Sequence, residues 1–217
     1  MKYKFAPALI TKSFATLYDP LTNFVGAGTS LQKKVINLSD MHNNDHILDV
    51  GCGTGTFVVL AATLYPHIHV TGVDPDDSIL RIARQKLKSK EYNAQFIKVS
   101  AEKLPFKNAS FDKVFSTLVF HHLPLAIKQQ ALKEIHRVLK KNGTFLLTDI
   151  GKPKNLLWKM LLEIEALFES REYLQDNLAG KIPHLVENAG FTIKEIAPSH
   201  HGIQFWLAQK TTYCLSL

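Results

Sequence analysis

Short apolar runs alternate with amphipathic segments through the middle of the chain. The runs "HILDV", "HVTGVD", "AQFIKVS", "FDKVFSTLVF" and "TFLLTDI" have the length and composition of strands. Between them, "TFVVLAATLY", "DSILRIARQKL" and "AIKQQALKEIHRVLK" repeat apolar residues at helical spacing, and Asn142-Gly143 is the expected stop of the last helix. This alternation predicts a parallel sheet with helices on both faces.

Both ends of the chain depart from that pattern. The first forty residues have an irregular helical pattern that is interrupted by Pro20 and "VGAGTS". After Pro153, "NLLWKMLLEIEALF" is apolar almost all round, which predicts a buried or membrane-facing helix. A helix from about Leu178 to Ala189 is expected next, and "FTIKEIA" and "GIQFWLAQK" predict two closing strands.

The first predicted strand ends in a glycine-rich turn, "ILDVGCGTG", which leads into a helix. Gly51, Gly53 and Gly55 permit positive φ and let a ligand lie against the backbone, and free N–H groups at the helix start can face it. The second strand ends in Asp74, where a carboxylate can accept hydrogen bonds from both hydroxyls of a ribose. These features predict a nucleoside site.

The residues around the turn narrow the choice of nucleoside. A phosphate-binding P-loop needs Gly-Lys-Ser/Thr, whereas Gly55 is followed by Thr56 and Phe57. Thr56 also occupies the position of the last glycine of a dinucleotide fingerprint. Asp49 would repel a pyrophosphate but suits an ammonium or sulfonium group, so S-adenosylmethionine fits. The alternative that Asp49 only hydrogen-bonds the turn stays open.

Composition adds limits on location and partners. Apolar residues make up 46% of the 217 residues, and no apolar run is long enough to cross a bilayer. Cys52 and Cys214 are the only cysteines, which fits a reducing cytoplasm, and no signal peptide is recognised. The net charge is +7, and its densest run, residues 81–90, is either a solvated helix face or a contact for an anionic partner.

The motifs resemble those of the class I S-adenosylmethionine-dependent methyltransferases. "ILDVGCGTG", "TGVDPDDSILRIAR", "VSAEKLPF" with "FDKVFSTLVFHHL", and "LKKNGTFLLTD" are similar to the five motifs of that family, in the same order. "AGFTIKEI" and "GIQFWLAQK" resemble its closing antiparallel hairpin. The resemblance implies a Rossmann-like, doubly wound α/β sheet of seven strands, mostly parallel with an antiparallel C-terminal hairpin and with helices on both faces.

The resemblance also implies roles for individual residues. Asp49 and the backbone of the glycine turn would hold the methionine part, and Asp74 with Pro75 would face the ribose. Ile79 would cover the adenine, Ala101 would donate its N–H to it, and Thr117 and Leu118 would border the methionine end. The implied cofactor-binding set is Asp49, Gly51, Cys52, Gly53, Gly55, Asp74, Pro75, Ile79, Ser100, Ala101, Glu102, Thr117 and Leu118.

One position departs from the family pattern. Many relatives carry an aspartate before the Ala-Glu pair to accept from the adenine amino group, and this chain has Ser100. Either the Ser100 hydroxyl or Glu102 must then make that contact.

A proton acceptor is needed only if the methyl acceptor must lose a proton. The candidates are Tyr18, His121, His122 and Asp149, which all belong to the predicted carboxyl edge of the sheet or to the N-terminal segment. Each has a structural alternative: core packing for Tyr18, capping of a strand end for the two histidines, and a loop role for Asp149. No cluster with metal-ligand spacing is present.

The acceptor class follows from exclusions and from the segments at each end. No cysteine follows a proline and no Asn/Asp-Pro-Pro-aromatic motif follows the fourth strand, so nucleic-acid bases are disfavoured. "FATLYDPLTNFVGAG" resembles the entry segment of the ubiquinone/menaquinone-biosynthesis C-methyltransferases. The expected acceptor is therefore small or lipid-like, and peripheral membrane contact is possible. An RNA or protein methyltransferase and a non-catalytic binding module remain as alternatives.

The predicted domain organisation has two parts. Residues 1–40 would form an N-terminal helical lid, and residues 41–217 the methyltransferase domain. A helical substrate-lid insertion is expected at about residues 152–176. The oligomeric state cannot be predicted from these patterns.

Overall fold

A single seven-stranded sheet organises the molecule. The computed structural model describes residues 28–87, 92–153, 171–200 and 202–211. The strands are β1 (His46–Val50), β2 (His69–Asp74), β3 (Ala94–Lys98), β4 (Phe111–Thr117), β5 (Leu139–Ile150), β6 (Phe191–His200) and β7 (Ile203–Lys210). Their order is β3-β2-β1-β4-β5-β7-β6; β1 to β5 pair in parallel, and β7 is antiparallel to β5 and β6. The predicted fold class is confirmed.

Helices cover the sheet on both sides because each buries an apolar stripe. They are α1 (Thr29–Asn37), α2 (Thr56–Leu64), α3 (Asp77–Leu87), α4 (Leu125–Val138), α5 (Arg171–Leu178) and α6 (Ile182–Asn188). Apolar residues of α1, α2 and α3 form one core cluster, and those of α4 and α6 form a second with the other face of the sheet. The two clusters agree with a doubly wound arrangement.

The predicted site lies where the strand order reverses. From β1 the chain winds outward through β2 and β3, then returns to place β4 on the other side of β1. Residues Ile47 to Val50 are all buried, as expected for a central parallel strand that is covered on both faces. The carboxyl ends of β1, β2 and β4 therefore flank the crevice in which open α/β sheets bind ligands.

The predicted end of the helix that follows the fourth strand is wrong. Helix α4 stops at Val138, and Asn142-Gly143 lies inside β5, where the pairing with β4 shifts register between Phe111 and Lys113. A Cβ on Gly143 would approach the Asp112 carbonyl oxygen to 2.7 Å, so this glycine serves a close approach within the sheet.

Two other element boundaries also differ from the prediction. Strand β4 ends at Thr117 instead of Phe120, because Leu118 adopts φ +57° and turns the chain into a short 3₁₀ helix at Phe120–His122. The helix expected from about Leu178 to Ala189 begins only at Ile182, as α6, because Leu178 ends α5 and Gly180 with φ +72° lies between the two helices.

The predicted lids fall largely outside the described residues. This is so for residues 1–27 and for residues 154–170, which include the apolar segment "NLLWKMLLEIEALF". The described part of the first segment is α1, which buries Leu31, Val35 and Ile36 in the core. Within the described ranges, no helix is both long and apolar enough to span a membrane.

Candidate functional site

The turn after β1 has the backbone that its glycines predict. Gly51, Gly53 and Gly55 have φ values of +77°, +52° and +75°, which side chains disfavour. The N–H groups of Gly51 and Cys52 both donate to the Val73 carbonyl oxygen, at 2.8 and 3.0 Å. The turn is therefore bonded to the end of β2, and these amides are used within the protein.

The three glycines differ in the space around them. A Cβ on Gly51 would lie 2.3 Å from Cγ2 of Val119, and one on Gly55 would lie 2.5 Å from the Phe96 ring. A Cβ on Gly53 would meet no atom within 4 Å. Gly51 and Gly55 thus serve internal packing, whereas the Gly53 backbone borders open space that could receive a ligand.

Two buried carboxylates lie at the ends of the strands that flank the turn. Asp49 is 3% exposed, and burial followed by the charge of Asp74 raises its pKa to about 8. Asp74 is also buried, and desolvation raises its pKa as well. Asp74 accepts hydrogen bonds from the N–H groups of Gly53 at 3.1 Å and Asp76 at 2.9 Å. Asp49 receives no hydrogen bond among the described residues, so its buried charge lacks compensation within them.

This electrostatic arrangement selects for a cation. A carboxylate with a pKa near 8 is mainly protonated at neutral pH, and a positive group beside it would favour its ionised form. The N–H groups of Gly51, Cys52 and Gly53 donate to Val73 and Asp74, so these three amides are used within the protein. The free donors predicted at the start of α2 are the amides that follow the turn, and their contact with a ligand stays a prediction. The turn's carbonyl oxygens are the backbone groups that suit an ammonium.

The remaining predicted cofactor residues follow the carboxyl ends of β2 and β3. Asp76 caps α3, because its carboxylate accepts from the N–H and the hydroxyl of Ser78, and these bonds lower its pKa. Leu80 and Ala83 form the buried stripe of α3, and Ile79 is not part of it. The predicted contacts on this side are all half-buried: Pro75, Ile79, Ser100, Ala101 and Glu102. Partial exposure is what a ligand-facing residue requires.

The carboxyl end of β4 faces the glycine turn. Val119 packs against Gly51, which places the 3₁₀ helix that follows it beside the turn. The Leu118 N–H donates to the Thr148 carbonyl oxygen at 2.8 Å, which holds the left-handed backbone at that residue. The Thr117 hydroxyl is buried and has no hydrogen-bond partner among the residues that the structure describes. Thr117 and Leu118 thus lie at the carboxyl end of β4, and their place at the methionine end of the cofactor stays a prediction.

Asp149 is the hub of a hydrogen-bond network behind this edge. Its Oδ2 accepts from the N–H groups of Val119 at 3.0 Å and Phe120 at 2.7 Å. Its Oδ1 accepts from the N–H of Ile150, and His121 Nδ1 lies 2.7 Å away. Asp149 is fully buried, which by itself would raise its pKa, but the neighbouring His121 and these hydrogen bonds hold that pKa below the usual value. An ionised carboxylate only accepts, so His121 carries its proton on Nδ1.

The other proton-acceptor candidates are less central. His122 is half-buried, and its ring lies 3.9 Å from that of His121 between centroids. Tyr18 lies outside the described residues. Within the described part of the chain, no group of three or more His, Cys, Asp or Glu side chains has the geometry of a metal site.

Comparison with known proteins places this site in a family. A family described as "Methyltransferase domain" matches residues 47–143. A demethylmenaquinone methyltransferase of Thermotoga maritima is 33% identical over 141 residues, which cover 64% of this chain and 59% of the relative. A ubiquinone/menaquinone biosynthesis C-methyltransferase of Ectopseudomonas mendocina is 32% identical over 180 residues, or 81% of this chain and 67% of the relative. The chain belongs to the class I S-adenosylmethionine-dependent methyltransferases, in the ubiquinone/menaquinone group.

Solved methyltransferases have the same fold. The phosphoethanolamine N-methyltransferase 2 of Haemonchus contortus, crystallised with S-adenosylhomocysteine, aligns with a TM-score of 0.73 and 20% identity. The alignment covers 93% of this chain and 58% of that enzyme. This chain spans 55–59% of the length of several quinone-pathway relatives that it matches.

Two buried residues of the network were missed by the sequence analysis. Lys128 on α4 and Asn177 on α5 are wholly buried and connect to Asp149. Lys128 does carry a signal, because it lies among the apolar positions of α4, where a lysine is unexpected. Asn177 carries none, since asparagine at a helix end is ordinary.

Proposed function

We propose that this chain transfers a methyl group from S-adenosylmethionine to a small or lipophilic acceptor. The acceptor would be quinol-, phenol-, amine- or lipid-like. The observation that carries the proposal is the pair of buried, interacting carboxylates, Asp49 and Asp74, of which Asp74 accepts from the N–H of Gly53, whose Cβ side is open. The names of the relatives, which are quinone-pathway methyltransferases, support a lipophilic acceptor.

Each end of the cofactor has a complementary group in this arrangement. Asp49 would face the positively charged methionine end, because ionisation of its carboxyl then gains a partner. Asp74 would accept from the ribose hydroxyls with the lone pairs that Gly53 and Asp76 leave. Ile79 would cover the adenine, and Ser100 or Glu102 would meet its amino group.

The acceptor would bind at the carboxyl edge of β4, next to His121. When bound, the cofactor supplies an electrophilic methyl group that a nucleophile displaces in line. The chain's part is to align that nucleophile and to take its proton where it has one. With Nδ1 bonded to Asp149, His121 would take the proton on its other nitrogen, Nε2.

Asp149 has a positioning role in this proposal instead of the proton-acceptor role considered first. Its two oxygens accept from the Val119, Phe120 and Ile150 amides and from the His121 ring. A carboxylate so bonded, with a lowered pKa, is a poor proton acceptor but a good anchor for an imidazole.

Binding and turnover experiments together test the proposal. Calorimetry with S-adenosylmethionine and S-adenosylhomocysteine measures the site, and a methyl-release assay over quinols, phenols, amines and lipids measures the reaction. Turnover on one of these classes supports the proposal. Binding without turnover on any acceptor favours a non-catalytic module. Salt-sensitive turnover on RNA or protein would favour the second candidate function, an RNA or protein methyltransferase. The net charge of +7 and the exposed Arg81 and Arg84 support that candidate.

A substrate-covering role for the apolar segment at residues 155–168 stays a prediction. Trp158, Met160, Leu161, Ile164 and Phe168 would then form an apolar wall for the acceptor. Trp158→Ala should raise the KM of the acceptor far more than that of S-adenosylmethionine, and equal effects would contradict the role. The lid boundaries, the peripheral membrane contact and the cytoplasmic location also stay predictions.

A further inference from the structure

A second layer of buried polar groups lies behind Asp149. Lys128 is fully buried, and its Nζ donates to the Tyr173 carbonyl oxygen at 2.6 Å and to Oδ1 of Asn177 at 2.9 Å. Asn177 is also fully buried, and its Nδ2 donates to Oδ1 of Asp149 at 3.2 Å and to the Ile150 carbonyl oxygen at 2.8 Å. A continuous chain of contacts thus joins an ammonium to the His121 ring.

The orientation of the Asn177 amide follows from the chemistry of its neighbours. A lysine ammonium has only donors, so the oxygen of Asn177 must face Lys128. The amide nitrogen then faces Asp149 and the Ile150 carbonyl, which both accept. Both polar atoms of the Asn177 side chain thus have partners. If the amide were reversed, its NH₂ would face the Lys128 ammonium, donor against donor, and its oxygen would face the Asp149 and Ile150 oxygens, acceptor against acceptor.

We propose that Asn177 and Lys128 are positioning residues for His121, which they hold and tune through the carboxylate of Asp149. The inference rests on the proposed role of His121 as the proton acceptor. A hydrogen bond donated to a carboxylate, and a positive charge nearby, both weaken the negative potential that the imidazole feels. Loss of either residue should therefore make the surroundings of the His121 ring more negative.

Other charged groups also lie close to the network. Asp176 on α5 lies 3.8 Å from the Lys128 ammonium, and the exposed Lys181 in turn lies 3.1 Å from Asp176. His122 adjoins His121 on the 3₁₀ helix. Burial lowers the pKa of Lys128, while Asp176 and Asp149 oppose that shift. Asp176 divides its negative charge between Lys128 and Lys181. The positive charge of Lys128 is therefore not fully neutralised, and it still acts on Asp149.

The test uses the whole chain of 217 residues and observes His121 directly. Nitrogen-15 NMR of the imidazole, assigned with a His121→Gln variant, reports which nitrogen carries the proton and at which pH the ring titrates. In the wild type we expect the proton on Nδ1. Lys128→Met and Asn177→Asp should each raise the pKa of the imidazole by about 0.5 to 1 unit, because each makes the surroundings of Asp149 more negative.

Kinetics provides the second reading and a matched control. With an active acceptor, the acidic limb of the kcat profile should move to higher pH by the same amount, and the KM of S-adenosylmethionine should change less than about twofold. Lys113→Met is the control, because Lys113 is another buried lysine of the sheet and pairs with Asp45 at 3.9 Å. It should lower stability without a shift in either pH dependence.

The possible outcomes separate this proposal from the proposed function. An unshifted imidazole pKa in both variants would overturn the positioning role, even if activity falls. A wild-type His121 protonated on Nε2 would overturn it without any variant. If the imidazole shifts as expected but no acceptor is methylated, the network's hold on His121 is supported and the methyl-transfer proposal fails.

Discussion

Replacing Asp49 by asparagine should stabilise the free protein and weaken cofactor binding at the same time. Burial and the neighbouring Asp74 raise the pKa of Asp49 from 3.8 to about 8. The folded state therefore keeps a proton that the unfolded chain loses, and the free energy of unfolding falls as pH rises from about 4 to 8. Asparagine has nearly the same shape and no ionisable group, so it removes this loss.

The size of the effect follows from the shift. At about 1.4 kcal/mol per unit, the advantage of Asp49→Asn should be about 2 kcal/mol near pH 5, about 4 kcal/mol near pH 7 and about 6 kcal/mol near pH 8.5. Urea unfolding of the free protein at these three pH values measures it. The growth of the difference with pH is the decisive quantity, because the change in shape adds a constant.

The same variant should bind S-adenosylmethionine about tenfold to a hundredfold more weakly near pH 8, since a charge-assisted contact is lost. A stability difference that does not vary with pH would refute the raised pKa of Asp49. Unchanged affinity would refute its role opposite the positively charged end of the cofactor. A protein that loses both stability and affinity would show that Asp49 serves the turn alone.

The remaining predictions concern the glycine turn and the network behind it. Gly53→Ala should reduce cofactor affinity while costing only about 1 kcal/mol of stability in urea unfolding, because its φ of +52° is strained but no atom lies within 4 Å of the new Cβ. Gly51→Ala should lower stability more, because its Cβ would lie 2.3 Å from Val119; equal stabilities would contradict this packing. Asp149→Asn should lower the free energy of unfolding by about 3 kcal/mol or more in urea unfolding, because the new NH₂ must face buried donors. The variant should also lower kcat. A wild-type free energy of unfolding would contradict the central place of Asp149 in the network.

The strand pattern determined most of the fold prediction, because parallel strands and amphipathic helices leave strong periodic signals. The errors occurred where the backbone, and not the hydrophobic pattern, decides the outcome. Asn142-Gly143 is a frequent end of a helix, but here it serves a register shift between β4 and β5. Leu118 ends β4 with a left-handed backbone that nothing in its residue type indicates.

Part of the candidate site could also be predicted from the sequence. The sequence points to Gly53, Asp49 and Asp74, because a glycine turn that is combined with two strand-end carboxylates has few structural uses. The use of the turn's amides by Val73 was not predictable, since it depends on how β2 ends beside β1. The role of Asp149 was also hidden, because its donors come from separate segments of the chain, one before it and one after it.

The affinity of Asp74→Ala for S-adenosylhomocysteine tests the central claim most directly. Asp112→Ala is the matched control, because this carboxylate lies at the start of β4 and bonds to Lys140. We expect calorimetry to give the control variant wild-type affinity and Asp74→Ala an affinity at least about a hundredfold lower, since two ribose hydroxyls lose a buried carboxylate. Wild-type affinity in Asp74→Ala would contradict the account, because the nucleoside would then bind away from the crevice between β1 and β2.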